Sequence, residues 1–211
     1  MAFTLPKIYP ITDTLISGLS HAEQVEQLAA GGASLIQLRE KRASPLEFYR
    51  AALDTMSTAR KLGVQIIVND RVDIAIAVKA DGVHLGQDDL PPDRARVLLG
   101  PDRIIGFSTH SLQQALEADL APVDYVAIGP IFQTSTKERP EPVVGLDIIR
   151  EAKQGITKPL AAIGGITLLT AGSVIDAGAD SLAVIADLLS EGDIAERMRG
   201  FLGVVGGTGR A

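Results

Sequence analysis

SLIQLREKRASPLEFYRAALDTMSTARKLGVQIIVND, residues 34–70, contains a complete strand, helix, strand unit. SLIQLRE begins as a β-rich run, SPLEFYRAALDTMSTARKLG carries apolar residues near helical spacing, and VQIIVND returns to a β-rich run. The same alternation extends in both directions. KIYPIT lies before the unit, and DGVHLGQ, RIIGFST, DYVAIGP, KPLAAIGG and SLAVIAD follow it, with amphipathic HAEQVEQLAAGG and SLQQALEADLAP among the connections. About eight strands alternating with helices predict an α/β fold, a single-domain (β/α)8 TIM barrel. A doubly wound open sheet also alternates, but it uses fewer strands and a glycine-rich first turn, and ITDTLISG contains no G-x-G-x-x-G. The barrel is expected over 1–205, with GVVGGTGRA ending in a flexible tail at 206–211.

Composition narrows the function classes. With 211 residues and 46% hydrophobic content, the chain can bury one large core. A net charge of -6 argues against nucleic-acid and anionic-membrane partners, which both call for a basic surface. Cysteine is absent, which removes disulfides, thiolate metal sites and cysteine nucleophiles. MAFTLPKIYPIT has no basic region followed by a long apolar run, so a soluble cytoplasmic protein acting on small molecules is expected.

In a barrel the chemistry belongs at the C-terminal ends of the strands. There the second strand carries Gln37, Arg39 and Lys41 at alternate positions, a polar face opposite Ile36 and Leu38. The third strand ends in Asn69 and Asp70, and the fourth runs out to Asp88 and Asp89. Ser108 and His110 end the fifth strand, GPIFQTSTKERPEPVVG follows the sixth, and AIGGI closes the seventh. Each has a modest reading alone: Arg39 in an ion pair with Glu40 or an Asp, Asn69 and Asp70 as a helix cap, the DD pair as a solvated loop. His84 and His110 read as satisfied polar residues and His21 as the start of a surface helix. Convergence of polar groups from six strands on one mouth is what points to a site.

The residue types suggest its ligands. Arg39 suits phosphate oxygens by its planar fork and Lys41 as a point charge. Asp70 and Asp89 would repel those oxygens unless a cation lay between, and Mg2+ commonly binds one or two carboxylates while sharing substrate phosphates. TSTK adds hydroxyls and Lys137 on a loop long enough to act as a lid. AIGGI and AVIADL fall where barrels often bind a phosphate through backbone N–H groups. A metal-bound diphosphate and a separate monophosphate are the expected anions.

The segments QLREK, VNDRVDIA, ADGVHLGQDDL, IGFSTHS, DYVAIGPIFQTSTK, Gly145-Leu146 and AIGGI resemble the thiamine-phosphate synthase family, in the same order and at similar spacing over nearly the whole chain. The resemblance implies a TIM-barrel transferase of thiamine biosynthesis. Such an enzyme joins 4-amino-2-methyl-5-hydroxymethylpyrimidine diphosphate to 4-methyl-5-(2-phosphoethyl)thiazole and releases diphosphate with Mg2+. It implies pyrimidine-diphosphate positions at Gln37, Leu38, Arg39, Glu40, Lys41, Asn69, Ser108 and Lys137, with Arg39, Lys41, Ser108 and Lys137 the catalytic candidates. The implied metal positions are Asp70 and Asp89, and those for the thiazole phosphate are Thr134, Ser135, Thr136, Gly165, Ile185 and Ala186. Where the family commonly has serine after the last strand, this chain has Ala186. The family also suggests a homodimer. Two other functions fit less of the pattern: a thiazole tautomerase using His110 as proton shuttle, and a non-catalytic sensor of phosphate ligands. The first gives Asp70 and Asp89 no role, and the second needs neither metal nor lid.

Overall fold

The computed structural model describes residues 3–134, 141–190 and 192–207. Its chain order is β1 Ile8–Pro10, α1 Thr14–Ser17, α2 His21–Ala30, β2 Leu35–Leu38, α3 Pro45–Leu62, β3 Gln65–Asn69, α4 Val72–Val78, β4 Gly82–Leu85 and α5 Pro92–Leu99. There follow β5 Ile104–Thr109, α6 Leu112–Leu120, β6 Tyr125–Ile128, α7 Asp147–Gly155, β7 Leu160–Ile163, α8 Ala171–Asp176, β8 Ser181–Val184, α9 Ala186–Leu189 and α10 Ile194–Gly207. All eight expected strands form. They pair in parallel in the order β1-β8-β7-β6-β5-β4-β3-β2, and an Ile11 to Gln37 bridge joins the two ends into a barrel. Helix α10 runs through Gly207, two residues into the expected tail, and residues 208–211 lie outside those described.

Alternation along the strands divides the core in two. Ile36, Leu38, Ile66, Val68, Val83, Leu85, Val126, Leu160 and Leu182 face outward into the layer shared with the helices, among Phe48, Met56 and Phe201. Tyr9, Leu35, Ile67, Ile104, Tyr125, Ala161 and Ala183 fill the barrel interior. The helices that cover the outer layer start from local signals. Ser20 and Ser44 cap α2 and α3 through reciprocal boxes with Glu23 and Glu47, and Gly63 ends α3 in the left-handed region.

A repeated device fixes the strand register at the N-terminal end. Asp81, Asp124 and Asp180 each stand one residue before β4, β6 and β8, and each grips the preceding strand twice. Their carboxylates accept from the Ile66, Ile105 and Leu160 N–H groups at 2.8, 2.7 and 2.8 Å. Their own N–H groups donate to the carbonyls of the same three residues. Arg96 and Lys153 neutralise Asp124 and Asp180. A depression of about 610 Å³ at this end includes Asp81 and Asp124 in its wall, with both carboxylates already engaged by these strand contacts.

Candidate active site

The opposite end opens into a cavity of about 950 Å³. Gln37, Arg39, Glu40, Lys41, Asn69, Asp70, Asp89, Ser108, Thr134, Gly165, Ile185 and Ala186 all line it, so most of the residues expected from the sequence converge there. Leu38 does not. Its side chain is buried in the outer layer, so it can meet a ligand only through its backbone. Ser135, Thr136 and Lys137 lie outside the described residues.

One expectation about the second strand is corrected. β2 ends at Leu38, so Gln37 faces the barrel interior, while Arg39 and Lys41 project from the loop that follows. Alternation along a strand therefore accounts for Gln37 alone. What places the two cations is a set of partners from other elements. Arg39 pairs with Asp13, the N-cap of α1, and half-exposed Lys41 pairs with Asp70. The Arg39 N–H donates to the Thr12 hydroxyl, and that hydroxyl meets His21 Nδ1 at 2.8 Å. His21 begins α2 as expected but is buried, with Nε2 at 3.4 Å from Glu40. Glu40 in turn accepts from the Arg42 and Ala43 N–H groups, closing the loop on itself.

Asp70 is held at φ 61, in the left-handed region that Asp and Asn enter more readily than most residues. It does not cap α4, whose N-cap is Arg71. Asp89 accepts from the Gly86 N–H at 2.6 Å. Burial pushes the Asp89 carboxyl above its ordinary pKa; the Gly86 N–H draws it back, and the adjacent charge of Asp70 adds to the rise. Two adjacent carboxylates with a lysine beside them suit a hard cation such as Mg2+. Among the described residues no group of three or more His, Asp or Glu could enclose a metal. A cation held by Asp70 and Asp89 alone would leave coordination positions for substrate oxygens and water.

The far wall is built from backbone. Gly164 and Gly165 have φ of 102° and 62°, and a Cβ at Gly165 would stand 2.4 Å from the Gln133 carbonyl oxygen. This close approach brings the turn after β7 against the segment after β6. Asp187 accepts from the Leu168 N–H at 3.0 Å and is held by Arg197 through both carboxylate oxygens, tying that turn to α9. Ala186 carries no hydroxyl; the hydroxyl lining the cavity one turn later is that of Ser190, which donates to the Ala186 carbonyl at 2.7 Å.

Beneath the cavity lie Tyr9, His84 and Tyr125, to which the sequence alone assigns no functional part. Gln37 Nε2 donates to the Tyr9 hydroxyl at 3.0 Å, and the Tyr9 and Tyr125 hydroxyls meet at 2.8 Å. Tyr125 meets His84 Nδ1, and His84 Nε2 meets the Ser108 hydroxyl, both at 2.8 Å. His110 is likewise satisfied, with Nδ1 donating to the Gly129 carbonyl. Tyr9, His84 and Tyr125 occupy inward positions of short strands, where a polar group must find a partner inside the barrel; that parity was the signal available in the sequence.

Similarity to known proteins agrees with this geometry. A family model described as thiamine monophosphate synthase matches residues 8–188. A thiamine-phosphate synthase of Koribacter versatilis is 48% identical over 88% of this chain and 90% of its own. The Clostridium novyi thiamine-phosphate synthase is 44% identical, over 89% and 93%. The solved thiamine phosphate pyrophosphorylase of Pyrococcus furiosus is 34% identical and superposes with a TM-score of 0.87, covering 97% of both chains. A barrel whose mouth gathers two cations, two facing carboxylates and a glycine turn, and whose sequence matches over this length, belongs to the thiamine monophosphate synthase family.

Proposed function

We propose that the protein condenses 4-amino-2-methyl-5-hydroxymethylpyrimidine diphosphate with 4-methyl-5-(2-phosphoethyl)thiazole, giving thiamine phosphate and diphosphate. The observation that carries this reading is a single cavity with two unlike anion ends. Arg39, Lys41, Asp70 and Asp89 stand at one, and the turn at Gly164 and Gly165 with the start of α9 stands at the other. In this reading Arg39 and Lys41 neutralise the diphosphate, exchanging Asp13 and Asp70 for substrate oxygens or sharing them. Asp70 and Asp89 would hold Mg2+, which when bound supplies positive charge to the departing diphosphate.

Diphosphate departs ahead of attack, and the electron-rich aminopyrimidine carries the positive charge left on its exocyclic methylene. The thiazole nitrogen already has its lone pair and needs no base, so the protein's contributions are placement and electrostatic stabilisation of the leaving group. Ser108 and Lys137 are assigned to the same diphosphate, and Thr134, Ser135, Thr136, Gly165, Ile185 and Ala186 to the thiazole phosphate. At Ala186 only the backbone can contribute. On this reading the protein is a cytoplasmic enzyme of small-molecule metabolism, working as a homodimer.

Incubating the purified protein with both substrates and Mg2+ should yield thiamine phosphate and diphosphate in equal amounts. Isomerised thiazole without a requirement for pyrimidine would establish a tautomerase instead. Binding of either ligand without turnover would establish a sensor.

A further inference from the structure

Beneath the cavity runs a continuous hydrogen-bonded path that the proposed chemistry does not use, reaching the lining at Gln37, His84 and Ser108. It runs from Gln37 through Tyr9, Tyr125 and His84 to Ser108. Its direction follows from the groups themselves. An amide nitrogen can only donate, so the Tyr9 oxygen accepts from Gln37. The Tyr9 hydrogen is then available to the Tyr125 oxygen, and the Tyr125 hydrogen to His84 Nδ1. His84 Nδ1 therefore holds a lone pair, and Nε2 carries the ring hydrogen and donates it to the Ser108 oxygen. Ser108 keeps its own hydroxyl hydrogen for the cavity. Burial raises the pKa of both tyrosines above that of an ordinary phenol, so each retains the one hydrogen that the path requires.

We propose that Tyr9, Tyr125 and His84 are positioning residues that hold Gln37 as an acceptor and Ser108 as a donor, and so select a 4-aminopyrimidine ring over its 4-oxo counterpart. The proposal rests on the pyrimidine-diphosphate reading given above. With its nitrogen engaged by Tyr9, Gln37 has Oε1 to offer to a ligand, and an amino group donates to that oxygen. An oxo group would instead set lone pairs against lone pairs. Gln37 can turn its nitrogen to the ligand only if Tyr9 donates to Oε1, Tyr125 donates to Tyr9, and His84 moves its hydrogen to Nδ1. Ser108 must then donate to His84 and loses its donor to the substrate. The five groups reverse together or not at all, which makes the amide's orientation far stiffer than that of a lone glutamine.

Calorimetric binding of the 4-amino and 4-oxo pyrimidine diphosphates, with Mg2+ and without thiazole, separates recognition from chemistry. The parent protein should prefer the amino compound by about 100-fold or more. Tyr125→Phe keeps the ring but interrupts the path, and Tyr9→Phe releases Gln37 directly. In either folded variant the preference should fall to about tenfold or less, with thiazole phosphate affinity unchanged. A variant that keeps the parent's preference overturns the proposal. Nitrogen NMR of 15N-histidine-labelled parent protein, with the His84 signals assigned by their loss in His84→Gln, gives a readout that needs no folded tyrosine variant. It should show neutral His84 with hydrogen on Nε2; hydrogen on Nδ1, or on both nitrogens, overturns the direction assigned here. A parent that binds thiazole phosphate but neither pyrimidine overturns the substrate reading itself and the proposal with it, a failure visible before any variant is made.

Discussion

Gly106 lies level with His84 on one neighbouring strand and with Tyr125 on the other, and a Cβ there would come within 2.0 Å of the Tyr125 ring and 2.5 Å of His84 Nδ1. The two rings stack with centroids 5.5 Å apart only because this position has no side chain. Gly106→Ala should lower stability by about 1–3 kcal/mol through overpacking. It should also weaken pyrimidine diphosphate binding, and thermal unfolding with calorimetry checks both effects. Asp70 has a different constraint, since its φ of 61° tolerates Asn better than Ala. Asp70→Asn should keep the parent's melting temperature and raise the Mg2+ concentration needed for half-maximal turnover, leaving thiazole phosphate binding intact. Asp70→Ala should lose about 1–2 kcal/mol of stability in addition. An unchanged Mg2+ titration in Asp70→Asn would remove Asp70 from the metal site.

At the scale of elements, the three aspartates before β4, β6 and β8 link neighbouring strands in pairs at the end of the barrel away from the cavity. Each satisfies an N–H at the first or second residue of a strand that would otherwise be left without an acceptor beside the core. Asp180→Ala strands the Leu160 N–H and removes the partner of Lys153, and should cost about 1–3 kcal/mol. Asp180→Asn keeps an oxygen for Leu160 and should cost less. Urea unfolding should show a lower midpoint with an unchanged slope, and turnover per folded molecule should match the parent, because the substitution lies at the opposite end of the barrel. Reduced turnover at full stability would instead show that the two barrel ends are coupled.

For the whole molecule, pH acts on stability through His21. Burial lowers its pKa below the ordinary histidine value of 6.5, with Glu40 and Asp13 opposing the shift. The unfolded chain therefore binds a proton at higher pH than the folded one does. Stability from this group is fully present above the unfolded value and declines as pH falls from about 6.5 toward the lower folded value. Burial also tends to raise Glu40, but the Arg42 and Ala43 N–H groups and His21 outweigh it and hold the carboxyl below 4.5, so its contribution is lost only at lower pH. Urea unfolding between pH 8 and 5 should show the decline, and His21→Gln should flatten it; an equal slope in that variant would refute the assignment. Among the described residues no helix is long and apolar enough to cross a membrane.

Strand and helix periodicity pointed to about eight βα units, from which the barrel followed, and the general placement of barrel chemistry at strand C-termini pointed to the end where the cavity opens. Period-two alternation reports which way a side chain leaves its own strand, so the two-layered core and the inward place of Gln37 were legible locally. The rule that barrel chemistry lies at strand C-termini brought Asp70, Asp89 and Ser108 to one mouth from the sequence alone, because each stands at the end of its strand or in the loop that follows. What local pattern could not decide was pairing across the barrel. Arg39 meets Asp13 from a different βα unit, and Tyr9 meets Tyr125 across 116 residues. Closure of the sheet decides these contacts, since it alone sets which inward positions share a level and which loops share a mouth. The electrostatics of the site follow from that closure, because a charge's effect depends on the distance to its partner and on the burial of both.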